Sequence, residues 1–181
     1  MSKLVEKKIS SQTVYEGNFL DVKKDNVLLP NGKKSTREWI NHPGAVVIVP
    51  ILQNGKIALI RQFRYAMGSE FIELPAGKID KGETPDECAI RELEEEIGFK
   101  TKNLNFIAMI HPAIGFANEN MSLYLATDLV QTNINRDSDE FLELMPTSLE
   151  HALDLVWSNK ITDVKTIIGI LWYQKIYQES K

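Results

Sequence analysis

Residues 74–99 read LPAGKIDKGETPDECAIRELEEEIGF, a loop rich in glycine and proline followed by a strongly marked helix signal. Thr84 can cap the first turn, and Glu87 stands three residues later, where it would close a capping box. Pro85 suits the first helical position because its missing N–H would have no partner there in any case. The spacing predicts a helix over 84–97, with the following glycine as its stop.

The predicted helix carries an apolar and an acidic face. An apolar residue recurs every four positions and would face the core, at Ala89, Leu93 and Ile97. Glu92, Glu95 and Glu96 stand at i, i+3 and i+4, so that like charges project together and repel. A solvated acidic face is the ordinary interpretation of such a run. The alternative is an all-oxygen site for a hard cation such as Mg²⁺ or Mn²⁺, which would remove the repulsion.

Length and composition set the class of the protein. A chain of 181 residues with 43% apolar and 25% charged residues is typical of one globular domain and excludes disordered, collagen-like and membrane-spanning classes. The polar start lacks a secretory apolar region, and the single cysteine, Cys88, cannot form an intrachain disulfide. We therefore expect a cytoplasmic protein, and its net charge of −4 argues against nucleic acid as a partner.

The charge is unevenly distributed along the chain. Between Glu73 and Lys100 there are nine acidic and four basic side chains, whereas residues 1–40 carry eight basic and five acidic ones. The acidic centre coincides with the candidate metal-binding helix. A basic N-terminal segment precedes it.

Strand signals surround this helix and predict a mixed α/β sandwich. Asn31-Gly32 lies between two strand-like runs and predicts an antiparallel hairpin within the first 40 or so residues. A second hairpin, built of central strands, is predicted from 45–52 and 56–63. Further strands are predicted at 104–110, 121–126 and 141–145, and further helices at 147–159 and 163–178.

The motif of the acidic helix resembles the signature of the Nudix hydrolases. That signature is Gly, five residues, Glu, seven residues, Arg-Glu, an aliphatic residue, any residue, Glu-Glu, any residue, Gly and an apolar residue. Every spacing is kept in this chain, at Gly77, Glu83, Arg91, Glu92, Leu93, Glu95, Glu96, Gly98 and Phe99. The resemblance implies a Nudix-type α/β/α sandwich with a mixed sheet over residues 43–181, preceded by a small antiparallel β subdomain over residues 1–42.

The same resemblance implies a role for each matching residue. Glu92 and Glu96 would be the main metal ligands, Glu95 a further ligand with a catalytic role, and Ala76 the donor of a backbone carbonyl oxygen. Arg91 would orient the carboxylates as part of the catalytic group, in keeping with its i, i+4 relation to Glu95. The expected cofactor is Mg²⁺, with Mn²⁺ possible, and water would be the nucleophile that attacks a pyrophosphate.

Segments outside the motif are similar to the ADP-ribose pyrophosphatase branch of this family. They are Thr36-Arg37-Glu38-Trp39, Arg61-Gln62-Phe63-Arg64, Glu73-Leu74-Pro75-Ala76-Gly77 and Glu140-Phe141-Leu142-Glu143-Leu144. Glu140 aligns with the acid that in this branch is the last metal ligand or the catalytic base. Asp137 and Asp139 stand close enough in sequence for the base to be one of them.

Four residues are candidates for binding the substrate. Trp39 alone could be a half-buried strand aromatic, and the resemblance favours stacking on adenine. Arg64 and Arg37 could be surface ion-pair partners, and in an acidic site guanidinium groups suit phosphate oxygens. Arg61 is open between the two roles.

The segment His111 to Glu119 matches the branch only in part. Gly115 fits and is expected to permit a tight turn on the substrate side, and Glu119 would contact the distal sugar or cap the loop. Ile114, however, stands where proline is usual. This departure concerns the choice of sugar nucleotide rather than the class of hydrolase.

The implied activity is Mg²⁺-dependent hydrolysis of ADP-ribose, or of ADP-sugars, to AMP and ribose 5-phosphate. The alternatives are hydrolysis of another nucleoside diphosphate sugar such as GDP-mannose, and a Nudix module that binds ADP-ribose without cleaving it. The resemblance also implies a homodimer, because related ADP-ribose enzymes form dimers in which the N-terminal segment crosses over, and exposed strands within residues 1–42 would suit such pairing.

Overall fold

A computed structural model describes residues 3–132 and 141–179. The strands are β1 (Lys7–Glu16), β2 (Asp21–Leu28), β3 (Lys34–Ile40), β4 (Ala45–Pro50), β5 (Ile57–Arg64), β6 (Ser69–Glu73), β7 (Ala76–Lys78), β8 (Phe99–Ile110), β9 (Met121–Gln131) and β10 (Leu142–Thr147). The helices are α1 (Pro85–Ile97), α2 (Leu149–Trp157) and α3 (Val164–Glu179), and a 3₁₀ turn covers Tyr65–Met67.

The chain divides into two compact units. The first comprises the chain up to Gly44 together with Ala113–Glu119, and the second comprises Ala45–Pro112 and the chain from Asn120 onward. The first unit is an antiparallel sheet in the order β1-β2-β3. The predicted hairpin is confirmed: β2 and β3 pair across the Asn31-Gly32 turn, where the Asn31 side chain accepts a hydrogen bond from the Lys33 amide at 3.0 Å.

The second unit contains two sheets, in the orders β7-β4-β9-β8 and β10-β5-β6. β4 pairs parallel with β9 and antiparallel with β7, so the first of these sheets is mixed, as expected. The predicted second hairpin is wrong. Beyond a single bridge between Ile51 and Ile57, β4 and β5 enter different sheets. The local turn signal was real, but pairing along a strand depends on partners that are distant in sequence.

Helices cover both sides of the central strands. Along β4, Val46 and Ile48 pack against α1, whereas Val47 and Val49 pack with α2 and α3. β5 divides its side chains in the same way. Because successive side chains of a strand point to opposite faces, the two cores lie on opposite sides of the strands. The expected α/β/α sandwich is thereby confirmed.

The helix that carries the motif has the predicted ends. The Thr84 hydroxyl accepts from the Glu87 amide, and the Glu87 carboxylate accepts from the Thr84 amide, which completes the capping box. Gly98 ends the helix in the left-handed conformation, with φ of 71°. None of the helices in the described part of the chain is both long enough and apolar enough to cross a membrane.

Candidate active site

The centre of the site is a pair of acidic side chains on the inner side of α1. Glu92 and Glu96 are one helical turn apart and are only 8% and 3% exposed. Two carboxylates kept from water in this way are costly unless hydrogen bonds or cations balance them. The backbone amide of Ala76, at the start of β7, donates to Glu96 Oε2 at 3.3 Å. The loop before α1 and the helix therefore meet at the carboxylates.

Gly77 makes room for one of these carboxylates. A Cβ atom placed on Gly77 would lie 1.8 Å from Glu92 Oε1 and 1.9 Å from its carboxyl carbon. No side chain larger than hydrogen can occupy this position while Glu92 keeps its place. The glycine of the motif is therefore required by close approach to a side chain of α1.

Arg91 organises the acidic residues around it. Its Nε and Nη2 donate to the two oxygens of Glu83 at 2.8 and 3.0 Å. Its Nη1 donates to Glu92 at 2.7 Å and to Glu95 at 2.8 Å. The hydrogen bond with Glu83 is the largest cause that raises the pKa of Arg91 above its ordinary value. One planar group thus holds three carboxylates in fixed positions.

Glu83 is held in its charged form by the same contact. The hydrogen bonds from Arg91, opposed in part by burial, lower the pKa of Glu83 from 4.5 to about 2, and the Asp80 amide adds a further hydrogen bond. A carboxylate whose folded-state pKa is depressed contributes stability above the unfolded-state value, and the contribution is lost as the pH falls towards the folded-state value. For Glu83 the loss extends from about pH 4.5 to about pH 2.

We therefore predict the pH dependence of a Glu83→Gln variant. In metal-free buffer, wild type should be more stable than the variant at pH 7. This difference in the free energy of unfolding should shrink as the pH falls from about 4.5 to about 2, because both side chains are then neutral. Urea unfolding followed by circular dichroism at a series of pH values measures the difference. A gap that stays constant down to pH 2 would contradict the role assigned to the Arg91–Glu83 pair.

The residues fit a divalent cation by their chemistry. Within residues 3–132 and 141–179, no three acidic, histidine or cysteine side chains already form a closed metal-binding group. Two of the acidic side chains, Glu92 and Glu95, accept hydrogen bonds from Arg91 Nη1. Carboxylate oxygens are nevertheless donors that Mg²⁺ and Mn²⁺ prefer. Glu92 and Glu96 supply such oxygens one helical turn apart, and Gly77 leaves the space that the Glu92 carboxylate occupies.

Arg64 lies in the same unit at the end of β5. It binds Glu73 through two parallel hydrogen bonds, from Nε at 2.7 Å and from Nη2 at 2.6 Å. Glu73 is 2% exposed, whereas the Arg64 side chain is 44% exposed. Two parallel hydrogen bonds to a carboxylate fix the orientation of a guanidinium group and leave its remaining N–H groups for another acceptor.

Sequence reasoning assigned no role to the other partners of Glu73. Its Oε2 also accepts a hydrogen bond from the ammonium of Lys165, in the first turn of α3, and Lys165 in turn binds Asp163 at 2.9 Å. Lys165 and Glu73 are 92 residues apart in sequence, so no local pattern connects them. The only signal in the sequence is Asp163, which stands where a helix cap is expected.

Arg61 is the first residue of the RQFR segment and forms surface ion pairs. It binds Glu143 at 2.5 Å and approaches Glu70 at 3.7 Å. The hydrogen bond to Glu143 raises its pKa. Glu140, the predicted catalytic base or metal ligand, lies outside the described residues, as do Asp137 and Asp139.

Two predicted substrate residues lie on β3 in the first unit. Trp39 is half-buried and stands opposite Lys23 of β2. Arg37 is exposed and binds Glu6 at 2.5 Å, as well as the Thr36 carbonyl at 2.9 Å. Both residues are therefore displayed by a regular antiparallel ladder.

The segment Ala113–Glu119 belongs to the first unit as well. Gly115 lies in a turn as expected, although its φ is not positive and a Cβ there would have no atom within 4 Å, and its place on the substrate side stays a prediction. Glu119 lies 3.7 Å from Nε2 of His42, whose Nδ1 accepts from the Gly44 amide at 3.1 Å. Of the two roles open to Glu119, this contact favours holding the loop.

Comparison with known proteins identifies both parts of the chain. Residues 41–164 match the model of the NUDIX domain, and residues 6–40 match that of the nucleoside diphosphate sugar hydrolase N-terminal domain. An ADP-ribose pyrophosphatase of Bacillus subtilis is 42% identical, with 96% of this chain and 95% of that protein covered. A methanol dehydrogenase activator of Bacillus methanolicus is 37% identical, with 96% of each chain covered.

A solved structure agrees with this assignment. The crystal structure of an ADP compounds hydrolase superimposes with a TM-score of 0.89 at 25% sequence identity, covering 99% of this chain and 98% of that one. Since the domain match spans most of the chain and includes the loop and helix of the site, the chain belongs to the NUDIX family.

Proposed function

We propose that this Nudix hydrolase cleaves the pyrophosphate bond of ADP-ribose, or of related ADP-sugars, to give AMP and ribose 5-phosphate. The observation that carries the proposal is the buried pair Glu92 and Glu96, set against Gly77 and ordered by Arg91. The match to an ADP-ribose pyrophosphatase over almost the whole chain supports the choice of substrate.

Nudix hydrolases generally depend on divalent metal ions. In this chain we assign Mg²⁺, with Mn²⁺ as a substitute, to Glu92, Glu96, Glu95 and the carbonyl oxygen of Ala76. A divalent ion held there would neutralise the diphosphate and lower the pKa of a water molecule. Glu140 completes the proposed set, as a further ligand or as the group that takes the proton of the attacking water.

The remaining residues bind the substrate or orient the carboxylates. We assign Arg64 to a phosphate oxygen of the substrate, because Glu73 holds one edge of its guanidinium and the side chain stays partly exposed. Arg91 positions the carboxylates without contacting the substrate. Arg37 and Arg61 remain candidates for the same polyanion, each released from a surface ion pair that is worth little in water.

Formation of the phosphomonoester products from a panel of substrates, measured by ion-exchange chromatography, tests the proposal. The panel contains ADP-ribose, GDP-mannose, a diadenosine polyphosphate and a nucleoside triphosphate, each with and without Mg²⁺. We expect ADP-ribose to be cleaved fastest, and only with the metal. Faster cleavage of GDP-mannose would assign the enzyme to another nucleoside diphosphate sugar. Binding of ADP-ribose without any hydrolysis would identify a recognition module.

Trp39 provides a test of adenine recognition. Trp39→Ala should raise KM for ADP-ribose roughly tenfold, because stacking on an aromatic side chain contributes about 1–3 kcal/mol per base. Trp157→Ala is the matched control, since Trp157 is 71% exposed on α2. An unchanged KM for ADP-ribose in folded Trp39→Ala would contradict adenine stacking by Trp39.

We also propose that the enzyme is a cytoplasmic homodimer that pairs through its N-terminal sheet. β1 is an edge strand of this sheet and is exposed along its whole length. Ile9, Val14 and Tyr15 are each about half exposed on it, and unpaired strand edges with apolar side chains favour association. Light scattering that gives a monomer at the assay concentration would reject the dimer.

A further inference from the structure

One buried cation of the second unit has no part in the Nudix motif. Lys165 is 7% exposed, near the start of α3, and its ammonium binds Glu73 and Asp163. A buried lysine costs free energy unless it is paired and hydrogen-bonded. The ion pairs and hydrogen bonds of Lys165 with Glu73 and Asp163 must therefore offset this cost.

Glu73 receives two cations at once. Its Oε2 accepts from Arg64 Nη2 at 2.6 Å and also from the Lys165 ammonium. Burial of Glu73 favours the neutral acid, but the hydrogen bonds and charges of Arg64 and Lys165 outweigh it and lower the pKa of the carboxyl. Glu73 is therefore a carboxylate at neutral pH.

Groups at the start of α3 stabilise the negative charge of Asp163. Asp163 Oδ2 accepts from the Thr166 amide at 3.1 Å and from the Thr166 hydroxyl at 2.6 Å, so it caps α3. The first turn of a helix carries a partial positive charge that stabilises an acid at this position. A series of alternating charges thus runs from the start of α3 through Asp163, Lys165 and Glu73 to Arg64.

The series ends in an open pocket of about 280 Å³. All four charged groups line it, with two apolar side chains beside them: Arg64, Glu73, Asp163, Lys165, Met67 and Phe71. Arg64 uses Nε and Nη2 for Glu73, and no other described residue accepts from its Nη1. Arg64 thus lines a pocket that could hold a ligand, and its Nη1 has no acceptor among the described residues.

Without Lys165, Glu73 and Arg64 would form an isolated neutral pair. A carboxylate that is balanced by one cation alone cancels most of that cation's field at a nearby phosphate, because the two opposite charges are less than 3 Å apart. A second cation on the same carboxylate weakens this cancellation, even though Asp163 reduces the field of that cation in part. More of the positive field of Arg64 then remains at a nearby phosphate.

We propose that Lys165 is a positioning residue for the substrate: it shares the negative charge of Glu73, so that Arg64 keeps more of its positive field and the Nη1 edge of its guanidinium for a phosphate group of a nucleoside diphosphate. The inference rests on the proposed function of Arg64 as a phosphate ligand. It adds α3, which the motif does not include, to the elements that determine substrate affinity.

The first test compares the same substitution at two lysines of α3. Lys165→Met should raise KM for ADP-ribose about tenfold, the effect of one charge-assisted hydrogen bond, and lower kcat less than threefold. Lys165→Arg should recover most of the affinity. Lys175→Met is the matched control, because Lys175 forms only an exposed i, i+4 pair with Glu179, and it should leave KM unchanged. An unchanged KM in folded Lys165→Met would overturn the proposal.

The second test predicts no loss of affinity for ADP-ribose, in contrast to the first. It also does not depend on whether a lysine variant folds. Asp163→Asn keeps a helix cap and removes a negative charge, so that the field of Lys165 acts more fully on Glu73. The dissociation constant of ADP-ribose, measured by calorimetry, should stay equal or fall. A tenfold rise would show that the network acts only by holding the fold together, and would overturn the electrostatic role.

The two proposals fail separately. Wild type that binds ADP-ribose without cleaving it overturns the proposed function alone, and the dissociation constants of the variants still decide the role of Lys165. In a Glu73→Gln background, Lys165→Met should cost less affinity than it does in wild type. Equal losses in the two backgrounds would mean that Lys165 does not act through Glu73, which also contradicts the inference.

Discussion

Glu92→Gln and Glu96→Gln should each lower kcat for ADP-ribose by roughly 10³-fold or more, while the protein remains folded. Each change keeps the size of the side chain and removes one charge from a pair that is nearly inaccessible to water. The amide is a poor ligand for a hard cation compared with a carboxylate. Steady-state kinetics at saturating Mg²⁺ measures the loss.

Stability should respond in the opposite direction. In metal-free buffer, Tm of Glu96→Gln should be unchanged or higher than that of wild type, because the repulsion between Glu92 and Glu96 is weakened. Glu92→Gln also weakens the ion pair with Arg91, so its Tm should stay close to that of wild type. Mg²⁺ should raise Tm of wild type and raise it less in the variants, since a ligand stabilises the state that binds it. Thermal unfolding with and without Mg²⁺ therefore separates loss of the metal site from loss of the fold.

Glu94→Gln is the matched control for this pair. Glu94 lies between the two on the same helix, but its partner is Lys100 at 3.0 Å, in a surface ion pair. The same chemical change there should alter kcat less than about twofold. Full activity in both Glu92→Gln and Glu96→Gln would refute the assignment of the metal to this helix.

Gly77→Ala should have the second largest effect, with kcat reduced by about 100-fold. The new methyl carbon would lie 1.8 Å from Glu92 Oε1, so the carboxylate has to move by more than an ångström. Displacement of a catalytic group by about 1 Å is enough for a loss of this order. Because the far end of a glutamate side chain can move without unfolding the protein, Tm should change little.

Mn²⁺ binding, measured by electron paramagnetic resonance, shows whether Gly77 acts through Glu92. Gly77→Ala should weaken Mn²⁺ binding when it is introduced into the wild-type protein. It should have little further effect when it is introduced into the Glu92→Gln variant. Equal losses in both backgrounds would mean that the methyl group disturbs the site through the backbone. Unchanged activity in Gly77→Ala would contradict the close approach itself.

Local interactions explain which features could be read from the sequence. The cap at Thr84, the stop at Gly98 and the relation of Glu92 to Glu96 all arise within one or two turns of helix, so residue order is sufficient to predict them. The hairpin at Asn31-Gly32 was correct for the same reason. These short-range signals located α1 and most of its acidic residues.

Errors occurred where a feature depends on distant partners. The turn between β4 and β5 was read as a hairpin, but β4 pairs with β9 and β5 with β10, and both partners lie more than 70 residues later in sequence. Glu140 was chosen by resemblance alone and stays a prediction, because it lies outside the described residues.

The sequence by itself therefore determined the family, the helix of the site and the acidic residues that would hold a metal, since their spacing along α1 is local. Only the tertiary structure decided what each of them contacts. Folding places Glu92 against Gly77, joins Glu83, Glu92 and Glu95 through one guanidinium, and brings Lys165 across 92 residues to Glu73. Arg91 thus offsets part of the acidic excess of this segment, because buried carboxylates are costly unless hydrogen bonds or cations balance them.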